Sequence, residues 1–132
     1  MVKTNKKTAT KKSTTAVKAS VKKTSVNTIY DDFIGKECIL RSDGAGVFLA
    51  TVDGLDDAGK TAKISKVRKT WYWDGACAVE ELSKNGVQKP DNCNFTVTVK
   101  SMIITGVVQI LIATPEAIAS IRAVKDWKSK KD

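Results

Sequence analysis

The chain has 132 residues and no histidine. That absence excludes a Ser-His-Asp or Cys-His catalytic apparatus, a histidine-ligated metal and an imidazole switch near neutral pH. Cysteine is scarce: Cys38, Cys77 and Cys93 are widely spaced, and no CxxC occurs. Three cysteines without histidine make a poor zinc site, and a disulfide framework uses an even count. We therefore expect buried, reduced thiols acting as small hydrophobes. No apolar run approaches the ~18 residues of a membrane span, and no secretory apolar segment of ~7–15 residues follows the first lysines. A mitochondrial transit peptide would use arginine, which the first 28 residues lack. These absences lead us to expect a soluble, intracellular protein without a membrane partner.

Acidic residues are also missing from one region. The net charge is +9, from 23 basic and 14 acidic residues. Residues 1–28 hold eight lysines (Lys3, Lys6, Lys7, Lys11, Lys12, Lys18, Lys22, Lys23) and no acid, so the other 104 residues carry only +1. The segment consists almost entirely of Lys, Thr, Ser, Ala and Val, with no aromatic, Leu or Ile. It cannot bury enough apolar surface to offset roughly 1–2 kcal/mol of backbone entropy per residue, so we expect a disordered basic tail over 1–28. A single compact domain is expected over 29–128, and a charged end over 129–132.

Within that domain the patterning predicts an α+β fold: a small, mainly antiparallel sheet of about five strands with one or two short helices. Glu37–Arg41, Val47–Val52 and a long third strand, Thr61–Trp73, form an antiparallel meander. Asp43-Gly44-Ala45-Gly46 is a turn, and Asp53-Gly54 with Asp57-Ala58-Gly59 gives a loop. Ala76–Lys84 reads as a helix with Val79 and Leu82 on one face, capped by Gly86. Phe95–Lys100 alternates as a half-buried strand. Val107–Ile112 is apolar and β-branched, which suggests a central strand. Thr114 and Pro115 open a last helix as N-cap and first helical residue, with Ile118, Ile121 and Val124 as its buried stripe. Trp127 is expected to close the edge of the core.

Trp71-Tyr72-Trp73 is the most unusual local feature, since the chain has only eight aromatic residues. On a strand, Trp71 and Trp73 share one face, while Tyr72 shares the other with Arg68 and Lys66. With Lys69 these make a basic, aromatic strand, the composition that stacks bases and holds phosphates. The competing readings are core filling by the two tryptophans and a subunit interface. For Arg68 and Lys69 the plain reading is a solvated face. No acid pair converges: Glu80 and Glu81 are neighbours that diverge on a helix, and Asp31-Asp32 and Asp56-Asp57 are loop acids. Gly44-Ala45-Gly46 fits no phosphate-loop pattern. We expect no enzyme activity, no metal and no cofactor.

The run Trp71-Tyr72-Trp73-Asp74-Gly75-Ala76 resembles the signature of a family of small uncharacterised proteins from tailed bacteriophages. Ala45-Gly46-Val47, Gly86-Val87, Pro90, Cys93, Phe95, Ala119-Ser120-Ile121, Val124 and Trp127 extend the resemblance over roughly residues 37–128. It implies a phage origin and one compact domain, and it offers no catalytic residue. The Lys/Thr tail departs from the family pattern.

Two functions are expected from these features. The first is a non-enzymatic phage component, virion- or capsid-associated, whose tail contacts nucleic acid without sequence preference, or an acidic surface of another phage structural protein. The second is an infection-stage inhibitor that sequesters a host factor or nucleotide through the basic-aromatic strand. Either would act in the host cytoplasm, the first also in the virion, and self-association into a homo-oligomer fits both.

Overall fold

The computed structural model describes residues 28–129. The eight tail lysines lie outside them. The chain divides into two units after Asp31. Of the first, residues 28–31 form a turn: the Asp31 carboxylate accepts from the backbone N–H and hydroxyl of Thr28, and Asp31 N–H donates to the Thr28 carbonyl.

The second unit holds β1 (Glu37–Ser42), β2 (Gly46–Asp56), β3 (Thr61–Lys69), α1 (Val79–Asn85), a 3-10 turn (Pro90–Asn92), β4 (Val99–Ile104), β5 (Val107–Ile112) and α2 (Pro115–Ala123). The five strands form one sheet in the order β4-β3-β2-β1-β5, antiparallel throughout. The expected α+β class and the β1-β2-β3 meander are both present.

Connectivity forces this sheet to curl. β4 and β5 occupy opposite edges yet are joined by only Thr105 and Gly106. Edges of a flat five-stranded sheet would stand about 19 Å apart, at four spacings of roughly 4.8 Å. The link from Ile104 to Val107 reaches about 11 Å at most. The edges therefore approach each other, and hydrogen bonds fix the closure. Ser42 Oγ donates to the Thr105 carbonyl (2.6 Å), Asp43 N–H to Gly106 (2.8 Å) and Val107 N–H to Lys60 (2.9 Å). Inside the curl, Cys38, Leu40, Phe48, Ala50, Val52, Ala62, Ile64, Val67, Ile104 and Val107 form one core. On the outer face, Ile39 and Leu49 pack with Leu82 of α1, Ile121 of α2 and Phe95 in a second core. Adjacent residues Ile39 and Leu40 are both fully buried because each face has its own cover.

Several local expectations are corrected. β2 runs on through Asp53-Gly54 to Asp56, and the reversal falls at Asp57, Ala58 and Gly59, all with positive φ. β3 ends at Lys69, so Trp71-Tyr72-Trp73 lies beyond the strand. The strand expected at Phe95–Lys100 begins only at Val99, and the alternation does not mark a half-buried face: Phe95 is buried while Val97 and Val99 are exposed. The reason is that Phe95 pairs with Asp126 instead of joining the sheet. β5 is an edge strand, paired with β1 alone. Its apolar run serves two cores, Val107 within the curl and Leu111 toward the helices, and leaves Val108 and Ile112 exposed. α1 starts at Val79, later than expected, and ends at Gly86, whose N–H donates to Leu82 O. α2 has the expected cap: the Thr114 hydroxyl accepts from Ala117 N–H.

Leu40 lies at the centre of the curled core with no accessible surface. Leu40→Ala is expected to lower unfolding stability by about 2–5 kcal/mol, read from urea unfolding.

A candidate aromatic binding surface

The expected basic-aromatic strand is taken apart by one bulge. Thr51 faces Ser65 and Leu49 faces Arg68, so Ala50 opposes both Lys66 and Val67. Lys66 takes φ +52°, and the extra residue reverses the alternation beyond it. Lys66 remains exposed, while Arg68 turns to the outer face beneath the helices, with only 2% of its surface accessible. A solvated Arg68 is thus overturned.

The buried guanidinium is fully partnered. Nε donates to Thr96 O (2.9 Å). Nη1 donates to Ile121 O (2.7 Å) and Arg122 O (3.2 Å). Nη2 donates to Val124 O and to Asp126 Oδ1 (3.0 Å). All five N–H donors of the fork are used, and the Phe95 ring lies 5.6 Å from its carbon. Burial pushes the Arg68 pKa down, while the Asp126 carboxylate opposes that shift. Lys69 is half-buried, its ammonium 5.8 Å from the Phe48 ring.

Beyond β3 the chain builds a small second arrangement of extended segments. Tyr72 pairs antiparallel with Asn94, through N–H to carbonyl bonds of 3.2 and 2.8 Å. Phe95 pairs in parallel with Asp126, and Trp127 N–H donates to Phe95 O (2.8 Å). The 94–95 segment therefore runs between residues 71–73 and residues 125–127. Trp71 and Trp127 come from the two flanking segments and stack, with ring centroids 4.8 Å apart and planes at 28°. Both remain open to solvent, at 56% and 46% exposure, beside Tyr72 at 49%.

The aromatic triplet is thus divided among three environments. Trp73 is half-buried against the helix-side core, and its Nε1–H donates to Ala76 O (3.1 Å). Tyr72 faces solvent apart from Arg68, and Trp71 is half of a stacked pair. Core filling holds for Trp73 alone. Trp127, expected at the core's edge, is instead exposed in the candidate surface, a place that sequence reasoning missed. Its only sequence signal is a lone tryptophan between Lys125-Asp126 and Lys128, and its partnership with Trp71 depends on the parallel pairing of Phe95 with Asp126.

The Asp74-Gly75 turn fixes the base of this surface. Gly75 has φ +94°, and a Cβ there would lie 2.5 Å from the Gln88 backbone nitrogen. Asp74 Oδ2 accepts from Asn92 Nδ2 (3.1 Å). The acids remain separate: Glu80 accepts from Gln109 Nε2 and Glu81 from Cys77 N–H. Among the described residues, no group of three or more Cys, Asp or Glu side chains is placed to hold a metal ion.

Two thiols are buried as expected, but Cys77 is exposed. Burial pushes the Cys38 pKa from its ordinary 9.0 to about 11 and raises that of Cys93. In native protein at pH 8, a thiol-reactive chromogen should titrate Cys77 quickly and the other two only on unfolding. The folded state keeps the Cys38 proton through a range where the unfolded chain loses it, so this group's contribution to stability falls from about pH 9 to about pH 11. Cys38→Ala should reduce that alkaline slope in urea unfolding. For the indole pair, a double-mutant cycle of Trp71→Ala and Trp127→Ala should give a coupling of about 0.5–1.5 kcal/mol.

No curated protein sequence and no solved structure matches the chain. One protein family does: its sequence model matches residues 35–121, from two residues before β1 into α2 and through the Trp71–Gly75 segment. The chain therefore belongs to the family described as Domain of unknown function (DUF6948).

Proposed function

We propose that this protein is a non-enzymatic, nucleic-acid-binding component of a tailed bacteriophage, in which the basic tail supplies affinity and the folded domain supplies an aromatic platform. The observation that carries this reading is the exposed Trp71–Trp127 stack. Two solvent-facing indoles leave a large apolar area unburied, and such platforms accept nucleobases at about 1–3 kcal/mol each. Lys125 and Lys128 flank Trp127 in sequence, so cations are available to the phosphates on either side of a stacked base. The eight tail lysines add a sequence-independent attraction that the near-neutral domain lacks.

The same platform also supports the infection-stage reading, in which a nucleotide is sequestered. Mass spectrometry of purified virions separates the two, since many copies per particle belong only to a structural component.

Titration with single-stranded oligothymidine should quench tryptophan fluorescence. If about six tail lysines contact phosphates, log K should fall with log salt at a slope near −4 for single strands. Replacing all eight tail lysines by serine should flatten that slope. Trp127→Ala should weaken binding by about 1–3 kcal/mol and leave the slope unchanged. An unchanged affinity in both variants would overturn the proposal.

A further inference from the structure

A cleft of about 320 Å³ adjoins the aromatic pair. That volume is at the lower end for small-molecule pockets, which begin near roughly 300 Å³. Asp91 and Asn94 line it from one segment; Lys125, Asp126 and Trp127 line it from the other. Trp127 thus belongs both to the exposed stack and to the wall of the cleft.

The polar groups of the cleft are mostly unengaged. Among the described residues, the Asp91 carboxylate, the Asn94 side-chain amide and the Lys125 ammonium have no hydrogen-bond or ion-pair partner, and Asp91 lies in the 3-10 turn Pro90–Asn92. Asp126 gives Oδ1 to Arg68, and its other oxygen accepts from no described residue. The cleft therefore offers surplus acceptors beside an aromatic wall, with one cation.

That combination selects among bases. An ionised carboxylate only accepts, and it can accept at both oxygens side by side. Guanine alone presents two adjacent donors on its Watson–Crick edge, N1–H and the N2 amino group, next to the O6 acceptor. Adenine and cytosine offer one amino group beside a ring acceptor, whose lone pair the second carboxylate oxygen would repel. Thymine sets its single N–H between two carbonyls. A carboxylate also repels phosphate, so Asp91 faces a base and not the backbone.

We infer that the cleft between Trp127 and the Pro90–Asn92 turn is a guanine subsite, with the base stacked against Trp127, its N1–H and N2 amino group donated to Asp91, and its O6 accepting from Lys125. This rests on the aromatic-platform reading above and adds base selectivity to it.

The test uses the full chain and single-stranded thymidine pentamers with a central guanine, adenine, cytosine or thymine, followed by tryptophan fluorescence at one salt concentration. The tail's attraction is common to all four and cancels in the ratios. The guanine pentamer should bind about tenfold more tightly than the others, the discrimination of one good bidentate pair. Asp91→Asn should bring that ratio close to one and leave the thymine pentamer's affinity unchanged. Asp91 is exposed on a turn, and circular dichroism verifies that the variant folds. Equal binding of the four pentamers would overturn the subsite and leave the platform standing, as would a guanine preference that survives Asp91→Asn. Absence of quenching by every pentamer would overturn both.

Discussion

The guanidinium of Arg68 joins three parts of the domain that no regular ladder connects. It sits on β3, reaches the carbonyls that end α2, and holds the Thr96 carbonyl and Asp126 beside two of the three segments of the small outer arrangement. Helix C-termini carry unsatisfied carbonyls and partial negative charge, so a cation there is favourable on both counts. Burying it costs several kcal/mol, and that cost is offset only because every donor finds an acceptor. Without this group, α2 would lose its terminal partners, and residues 125–127 would lose the anchor that sets Trp127 against Trp71. The aromatic surface therefore depends on a residue that does not reach it. The salt bridge of Arg122 with Glu37, at 2.6 Å, ties the other side of the α2 terminus to β1.

The second constraint is topological. A two-residue link between opposite sheet edges makes curling obligatory, and curling creates an apolar interior that needs no helix. The helices are then free to cover the outer face, and the chain between β3 and β4 builds the second core there instead of closing the interior of the curl. It is in this interval, from Thr70 to Thr98, that the Trp71–Gly75 segment, α1 and the Asp91–Asn94 wall of the cleft all lie. The family match spans the sheet and helices together, from residue 35 to residue 121.

Much of the fold was legible in the sequence. The Thr114-Pro115 start of α2, the Gly86 end of α1 and the meander follow from local chemistry, since caps and turns are decided by residues within a few positions. What escaped was non-local. The Lys66 bulge has no glycine to announce it, and it moves Arg68 from a solvated face to the interior. β5 read as central because an apolar run records two covered faces and not the number of strand neighbours. The pairing of Phe95 with Asp126 joins residues far apart in sequence, and with the Arg68 anchor it brings Trp127 to Trp71. The candidate surface was therefore half visible: Trp71 and Tyr72 were named from the triplet, whereas Trp127, Asp91 and Lys125 required the fold.

The two edge strands expose Ile103, Val108 and Ile112 in a domain whose own charge is nearly neutral. Exposed apolar edges of that kind invite strand-to-strand association between copies, and a charge near zero does little to oppose it. A single lysine in place of Val108 would therefore blunt the β5 edge, the device by which sheet proteins keep their edges apart.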